Sequence, residues 1–271
     1  MVRTRFVVAL VSLVATLGLS KPAAAAELPG FQLDGDRFTY RSGDLEFDGI
    51  LVKPSGKGPF PAVLISHGLG GSAESFGRQK AREMVGWGYV CIAPNYTHQR
   101  SAVGRPSATP GLRGNNNFGA SEENLNRAVA CLDILKSLPE VDADKIFAYG
   151  HSMGGFVTIG LAAREPQRLA AAAISGSGIA PRSGFAAPSN DAAEKIRTPL
   201  IMFHGSDDTT VRPDQSSALK EVLDRNQVPN ERNVYDGVGH PVDQQRSTEM
   251  YAKIKAWFAR HGESQSARGG S

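Results

Sequence analysis

From residue 61 onward, short uninterrupted apolar runs alternate with longer segments of helical spacing, and that alternation constrains the fold more than any other feature. Residues 61–66, 89–93, 145–149, 169–174, 199–203 and 231–236 have the length of strands. The run at 61–66, Pro-Ala-Val-Leu-Ile-Ser, is apolar at successive positions, as suits a strand covered on both faces. Segments 75–87, 122–138, 152–164, 213–225 and 244–260 read as helices. In 122–138 the apolar stripe is Leu125, Val129, Leu132 and Leu135. Ahead of them, 37–41 and 46–53 read as two strands joined by the turn Ser42-Gly43-Asp44. Strands alternating with helices imply an α/β fold: a mainly parallel sheet of about eight strands, with helices on both faces and the opening hairpin at one edge. With 41% apolar and 21% charged residues, the chain has core enough for one domain over 27–261. Residues 27–36 read as a linker leading in. The polar, Gly/Ser-rich residues 262–271 read as a disordered tail.

The first 26 residues read differently. Arg3 and Arg5 precede an apolar run over 6–19, and Ala24-Ala25-Ala26 follows it. This is the layout of a secretory signal peptide, with cleavage near Ala26 and a secreted or periplasmic destination. An apolar run of this length falls short of the roughly 20 residues a helix needs to span a bilayer, so no stable membrane anchor is expected after cleavage. The segment carries Arg3, Arg5 and Lys21 and no acid, so its removal takes the formal net charge from +3 to zero. A neutral domain has no general attraction for nucleic acid or anionic membrane. Cys91 lies in a strand-like run and Cys131 on a helical stripe. An oxidising compartment permits a disulfide, but both read first as small buried apolar residues.

Chemistry concentrates at one string, Tyr149-Gly150-His151-Ser152-Met153-Gly154-Gly155, set between an expected strand and an expected helix. That context suits a serine on a sharp, strained turn, with glycines two residues to either side leaving room for the backbone. A serine hydroxyl attacks poorly unless a base takes its proton. A candidate acid follows the strand at 199–203, in His204-Gly205-Ser206-Asp207-Asp208, and a candidate base stands in Gly237-Val238-Gly239-His240-Pro241. Strand ends of this kind are where catalytic groups collect in open α/β sheets. An oxyanion needs two N–H donors. Met153, after the serine, is one. The Gly-rich turn His67-Gly68-Leu69-Gly70-Gly71 offers the other, with Leu69 expected as donor and Gly70 as the alternative. The Pro-, Gly- and Asn-rich stretch 94–119 is a candidate pocket wall. His67, His151 and His204 each occupy a motif position that needs no metal. His98 and His261 read as solvated, and Trp87 and Trp257 as packing residues. Asn95-Tyr96-Thr97 fits a glycosylation sequon, relevant only in a eukaryotic secretory pathway.

Together these strings resemble the α/β-hydrolase superfamily over about residues 37–260. Within it the chain is similar to dienelactone-hydrolase-like and prolyl-oligopeptidase-like esterases and to secreted, cutinase-like polyesterases. The resemblance implies the α/β-hydrolase fold and a triad of Ser152, Asp208 and His240. In such relatives the acid stands three residues after the glycine and three before the valine, which selects Asp208 over Asp207. One departure matters: dienelactone hydrolases proper carry cysteine at the nucleophile, where this chain has Ser152. That points to ordinary ester chemistry on small-molecule or polymeric substrates, by a monomer without cofactor or metal. Peptidase, thioesterase or acyltransferase activity on the same scaffold is the alternative. A large additional N-terminal domain, usual in prolyl-oligopeptidase-type peptidases, is not expected. A non-catalytic binding role is disfavoured because all three triad residues are present. Segment 176–196 is short for a lid, so an open site is expected.

Overall fold

The computed structural model describes residues 28–98, 118–180 and 187–266. The signal peptide expected over 1–26 therefore lies outside the described residues, as do most of the candidate pocket wall (99–117), residues 181–186 of the segment weighed as a lid, and the last five residues of the expected tail.

One sheet of nine strands organises the chain, in the order β1-β2-β3-β5-β4-β6-β7-β8-β9. Strands β1 (Phe31–Asp34), β2 (Arg37–Ser42) and β3 (Leu45–Val52) form an antiparallel edge, and β3 is also antiparallel to β5 (Val90–Pro94). From β5 onward the neighbours β4 (Phe60–Ser66), β6 (Val141–His151), β7 (Ala171–Ser175), β8 (Leu200–Gly205) and β9 (Asn230–Tyr235) are all parallel. The expected alternation and edge hairpin are present. The ninth strand, β1, is a correction, because it lies inside the stretch read as a linker. Its residues are largely exposed, so no apolar run announces it. A tight turn through Gly35, at φ +58°, folds it back onto β2.

Side chains alternate between two core layers, as a strand period of two requires. In β4, Ala62 and Leu64 face one layer, while Val63 and Ile65 face the other. The first layer is covered by α2 (Glu122–Ser137), α3 (Met153–Arg164) and α5 (Pro213–Arg225), through Leu132, Leu161 and Leu223 among others, with the single turn α4 (Asn190–Ala193) beside them. The second is covered by α1 (Arg78–Val85) and α7 (Ser247–Ser266), through Met84, Ile254 and Phe258. The helix expected over 75–87 divides into a π-helical turn, Ala73–Gly77, and α1. That expected over 244–260 divides into the short α6 (Val242–Gln245) and α7. Helix α7 runs on to Ser266, so residues 262–266 are helical rather than part of a disordered tail. Among the described residues no helix is long and apolar enough to cross a membrane.

Strand β4 is central: the chain goes to β5 on one side of it and to β6 and onward on the other. Ligand clefts in open sheets form at the C-terminal ends of strands where the order reverses in this way. The turns after β4 and β6, which carry Leu69 and Ser152, meet at that point.

Candidate active site

Strand β6 ends at His151 and α3 begins at Met153, so Ser152 alone makes the turn. Its φ of 55° and ψ of −122° lie where a residue with a Cβ is strained by about 1–3 kcal/mol. Neighbouring backbone holds it there. Ser152 N–H donates to the Ser175 carbonyl at 2.9 Å, and the Ser152 carbonyl accepts from the N–H groups of Gly155 and Phe156. Crowding explains the flanking glycines. A Cβ on Gly150 would stand 2.1 Å from the Gly154 carbonyl oxygen, and one on Gly154 would stand 2.0 Å from that of Ser66. Both obstacles are backbone atoms with no room to move aside.

The structure brings Ser152, His240 and Asp208 into one hydrogen-bonded line. Ser152 Oγ lies 2.8 Å from His240 Nε2, and His240 Nδ1 lies 2.8 Å from Asp208 Oδ2. With Nδ1–H donating to the carboxylate, Nε2 presents its lone pair to the Ser152 hydroxyl. Asp208 is 3% exposed, and donors reach both of its oxygens. Oδ1 accepts from the Thr210 and Val211 N–H groups at 2.9 Å each, and His204 Nε2, which donates to the Val211 carbonyl, lies 3.3 Å from Oδ2. A buried charge requires such partners. Asp207 stays exposed and accepts from Ser206 Oγ at 2.8 Å. Gly176, at φ +52°, leaves space for the imidazole: a Cβ there would approach the His240 ring to 3.3 Å.

On the other side of Ser152, the turn after β4 is fixed by a buried histidine network. His98, read as solvated, is 1% exposed. Its Nε2–H donates to the His67 carbonyl at 2.8 Å, and its own carbonyl accepts from Gly70 N–H at 3.3 Å. Asn124 Nδ2 stands 3.3 Å from His98 Nδ1, and its Oδ1 accepts from Thr97 N–H. His67 Nε2 accepts from Tyr96 N–H at 3.1 Å. Burial above all holds both rings neutral, lowering His67 to about 3 and His98 to about 4. The network commits the Gly70 N–H and, among the described residues, gives the Leu69 N–H no acceptor. The Met153 N–H, the first of α3, also lacks an intrahelical acceptor. The remaining motif histidine, His151, is held neutral by burial, at about 4, and Ser175 Oγ lies 3.0 Å from its Nδ1. His261 is half-buried against Trp257 rather than solvated. Asn95 of the sequon is engaged by the fold: its Oδ1 accepts from Ala73 N–H and its Nδ2 donates to Asp48. Among the described residues no group of three His, Cys, Asp or Glu side chains is placed to hold a metal ion.

Sequence reasoning missed a second cluster beneath the turn: Lys80 and Asp243, both 1% exposed at the side chain, in ion contact at 2.8 Å. A faint signal existed, because Lys80 stands on the same face of α1 as the buried Met84. Asp243 is three residues past His240, in a string that otherwise reads as polar surface.

Residues 47–261 match the dienelactone hydrolase family. The chain is 29% identical over 224 residues to a Synechocystis protein named "Putative carboxymethylenebutenolidase", covering 79% of this chain and 89% of that protein. It is 23% identical over 249 residues to "Uncharacterized peptidase YtmA" of Bacillus subtilis, covering 81% and 91%. Among solved structures, Pyrococcus horikoshii acylaminoacyl peptidase superposes with a TM-score of 0.71 at 20% identity, over 87% of this chain. The chain spans 42% of the length of that peptidase. With its sheet, its turn at Ser152 and a match over most of its length, the chain belongs to the dienelactone hydrolase family of α/β-hydrolases.

Proposed function

We propose that this hydrolase cleaves carboxylic esters through an acyl-enzyme on Ser152. The observation that carries the reading is the continuous line from Ser152 Oγ through both nitrogens of His240 to a buried, doubly supported Asp208. In the first step Oγ attacks the ester carbonyl carbon while His240 Nε2 takes the hydroxyl proton. The carbonyl oxygen becomes an oxyanion facing the N–H groups of Met153 and Leu69. Collapse breaks the bond to the alcohol, which leaves with the proton from Nε2. Water then attacks the acyl-enzyme, gives its proton to Nε2, and releases the acid as the proton returns to Ser152. Asp208 keeps the imidazole in the needed tautomer and stabilises its charged form.

A serine in place of the family's cysteine, and an apolar surround, favour ordinary esters with apolar acyl groups. Met153, Phe156, Ala187 and Val211 form a small apolar cluster beside the turn, and Leu69 exposes 59% of its surface. The basic-then-apolar opening segment supports export as a secreted or periplasmic protein. Peptide cleavage is the second reading, favoured by the peptidase names among the relatives.

Labelling with a fluorophosphonate probe tests the chemistry. Wild type should label and Ser152→Ala should not, with turnover of p-nitrophenyl esters falling about ten-thousand- to million-fold. Folded wild type that takes up no probe would remove the serine-hydrolase reading. Faster turnover of peptide p-nitroanilides than of any ester would select peptide cleavage instead.

A further inference from the structure

Beneath the Ser152–His240 pair lies a buried charged cluster that the acyl-transfer steps do not use. Lys80 Nζ stands 2.8 Å from Asp243 Oδ2, a charge contact without good hydrogen-bond alignment, and reaches the Asp243 backbone carbonyl at 3.4 Å. The ammonium also lies 5.0 Å from the centre of the Phe76 ring and 5.6 Å from that of Tyr251. Asp243 Oδ1 is 3.5 Å from His151 Nδ1. Ser175 Oγ, 3.0 Å from that same nitrogen, is also 3.0 Å from Tyr149 Oη. The His151 ring is stacked with Phe76 and lies 5.1 Å, centre to centre, from the ring of His240.

Stability alone does not account for this arrangement. An ion pair removed from water gains little over well-packed apolar side chains of the same size. Its placement does account for it, because three elements meet there: α1 through Lys80, the end of β6 through His151, and the segment bearing His240 through Asp243. Val242 N–H donates to the His240 carbonyl at 2.8 Å, so fixing Asp243 fixes the backbone of His240. His151 then limits the ring itself.

The acyl-enzyme stage has a specific need for such a constraint. Once Oγ carries the acyl group, the Ser152–His240 hydrogen bond is gone, and Asp208 holds the imidazole by one edge only. Nε2 must nevertheless stay aimed at the incoming water. We propose that Lys80, Asp243 and His151 form a positioning unit that holds His240 in register through the acyl-enzyme stage, a reading that rests on Ser152 and His240 acting as nucleophile and base.

The test uses full-length protein, p-nitrophenyl ester steady-state kinetics and the pre-steady-state burst of p-nitrophenol. Three proteins are compared with wild type: Asp243→Asn, the paired change Lys80→Met with Asp243→Leu, which leaves no charge unpaired, and His151→Phe, which keeps a ring but loses the contact to Asp243. Expected is a fall in kcat of about ten- to hundredfold accompanied by a fall in KM, and a larger burst, because deacylation slows more than acylation. Circular dichroism and Tm identify variants that fold. If the paired change does not fold, His151→Phe carries the test. Wild-type kcat in a folded paired variant or in folded His151→Phe overturns the proposal, as does a rise in KM at constant kcat. Wild type without ester turnover or fluorophosphonate labelling sinks the catalytic reading and this proposal with it. Active wild type with unaltered variants sinks only the positioning unit.

Discussion

Two adjacent aspartates follow β8, and burial sets them apart. Asp208 gives one oxygen to His240 and the other to two backbone N–H groups, whereas the Asp207 carboxylate faces solvent and accepts from Ser206 Oγ. Asp208→Asn is expected to lower kcat/KM about a thousand- to ten-thousandfold, because an amide at that position favours the wrong imidazole tautomer. Asp207→Asn should stay within threefold. Hydrolysis of p-nitrophenyl acetate measures both, and the opposite order would move the acid to Asp207. At this scale the central residues were legible, because their neighbours are dictated locally. Gly150 and Gly154 are required by backbone a few residues away or on the adjoining strand, so the motif survives as a string. His98, Lys80 and Asp243 were not legible. His98 is buried by Asn124, 26 residues on, and Lys80 by a partner 163 residues away. No local spacing announces contacts of that range.

The turn after β4 shows how an element can depend on neutral histidines. His67 and His98 support the same five residues, and their rings lie 4.8 Å apart, so protonating either would place charge against a buried neighbour. Burial lowers His67 to about 3 and His98 to about 4, while an unfolded chain titrates near the usual 6.5. Above pH 6.5 both states are neutral and the pair costs nothing. Below it the unfolded chain takes up protons that the folded protein refuses. Stability should therefore fall as pH drops from about 6.5 to 4, by about 1.4 kcal/mol per pH unit for each such ring. Thermal denaturation across this range should show the decline. His98→Gln, whose amide can still donate to the His67 carbonyl but takes no proton, should make it shallower. An unchanged slope in that variant would clear His98 of the effect. Elements with apolar runs were readable from sequence for the same reason that these histidines are neutral, namely burial. Strand β1 was not, because an exposed edge strand held by backbone pairing and a glycine turn needs no apolar residues.

At the scale of the whole molecule, the sheet acts as a partition, and the two cysteines report on it. Cys91 lies in β5 and faces the layer closed by α1 and α7, with Val63, Ile65 and Met84. Cys131 lies in α2 and belongs to the opposite layer, with Leu64, Ile92 and Leu135. Ile92, the next residue after Cys91, faces the layer that holds Cys131, so the Cys91 Cβ is directed away from it. A disulfide needs the two Cβ atoms to face each other across about 4 Å, which a β-strand between them prevents. The expectation that both are small buried apolar residues agrees with their positions, and burial also raises both thiols well above their usual pKa. Since the thiolate is the reactive form, neither should react in the folded protein at pH 8. Titration with Ellman's reagent, on protein prepared without reductant, should count no thiol in the native state and two in guanidinium. A count of zero in guanidinium would require a bond between the layers and overturn the partition. Fast reaction in the native state would instead place at least one cysteine outside the core.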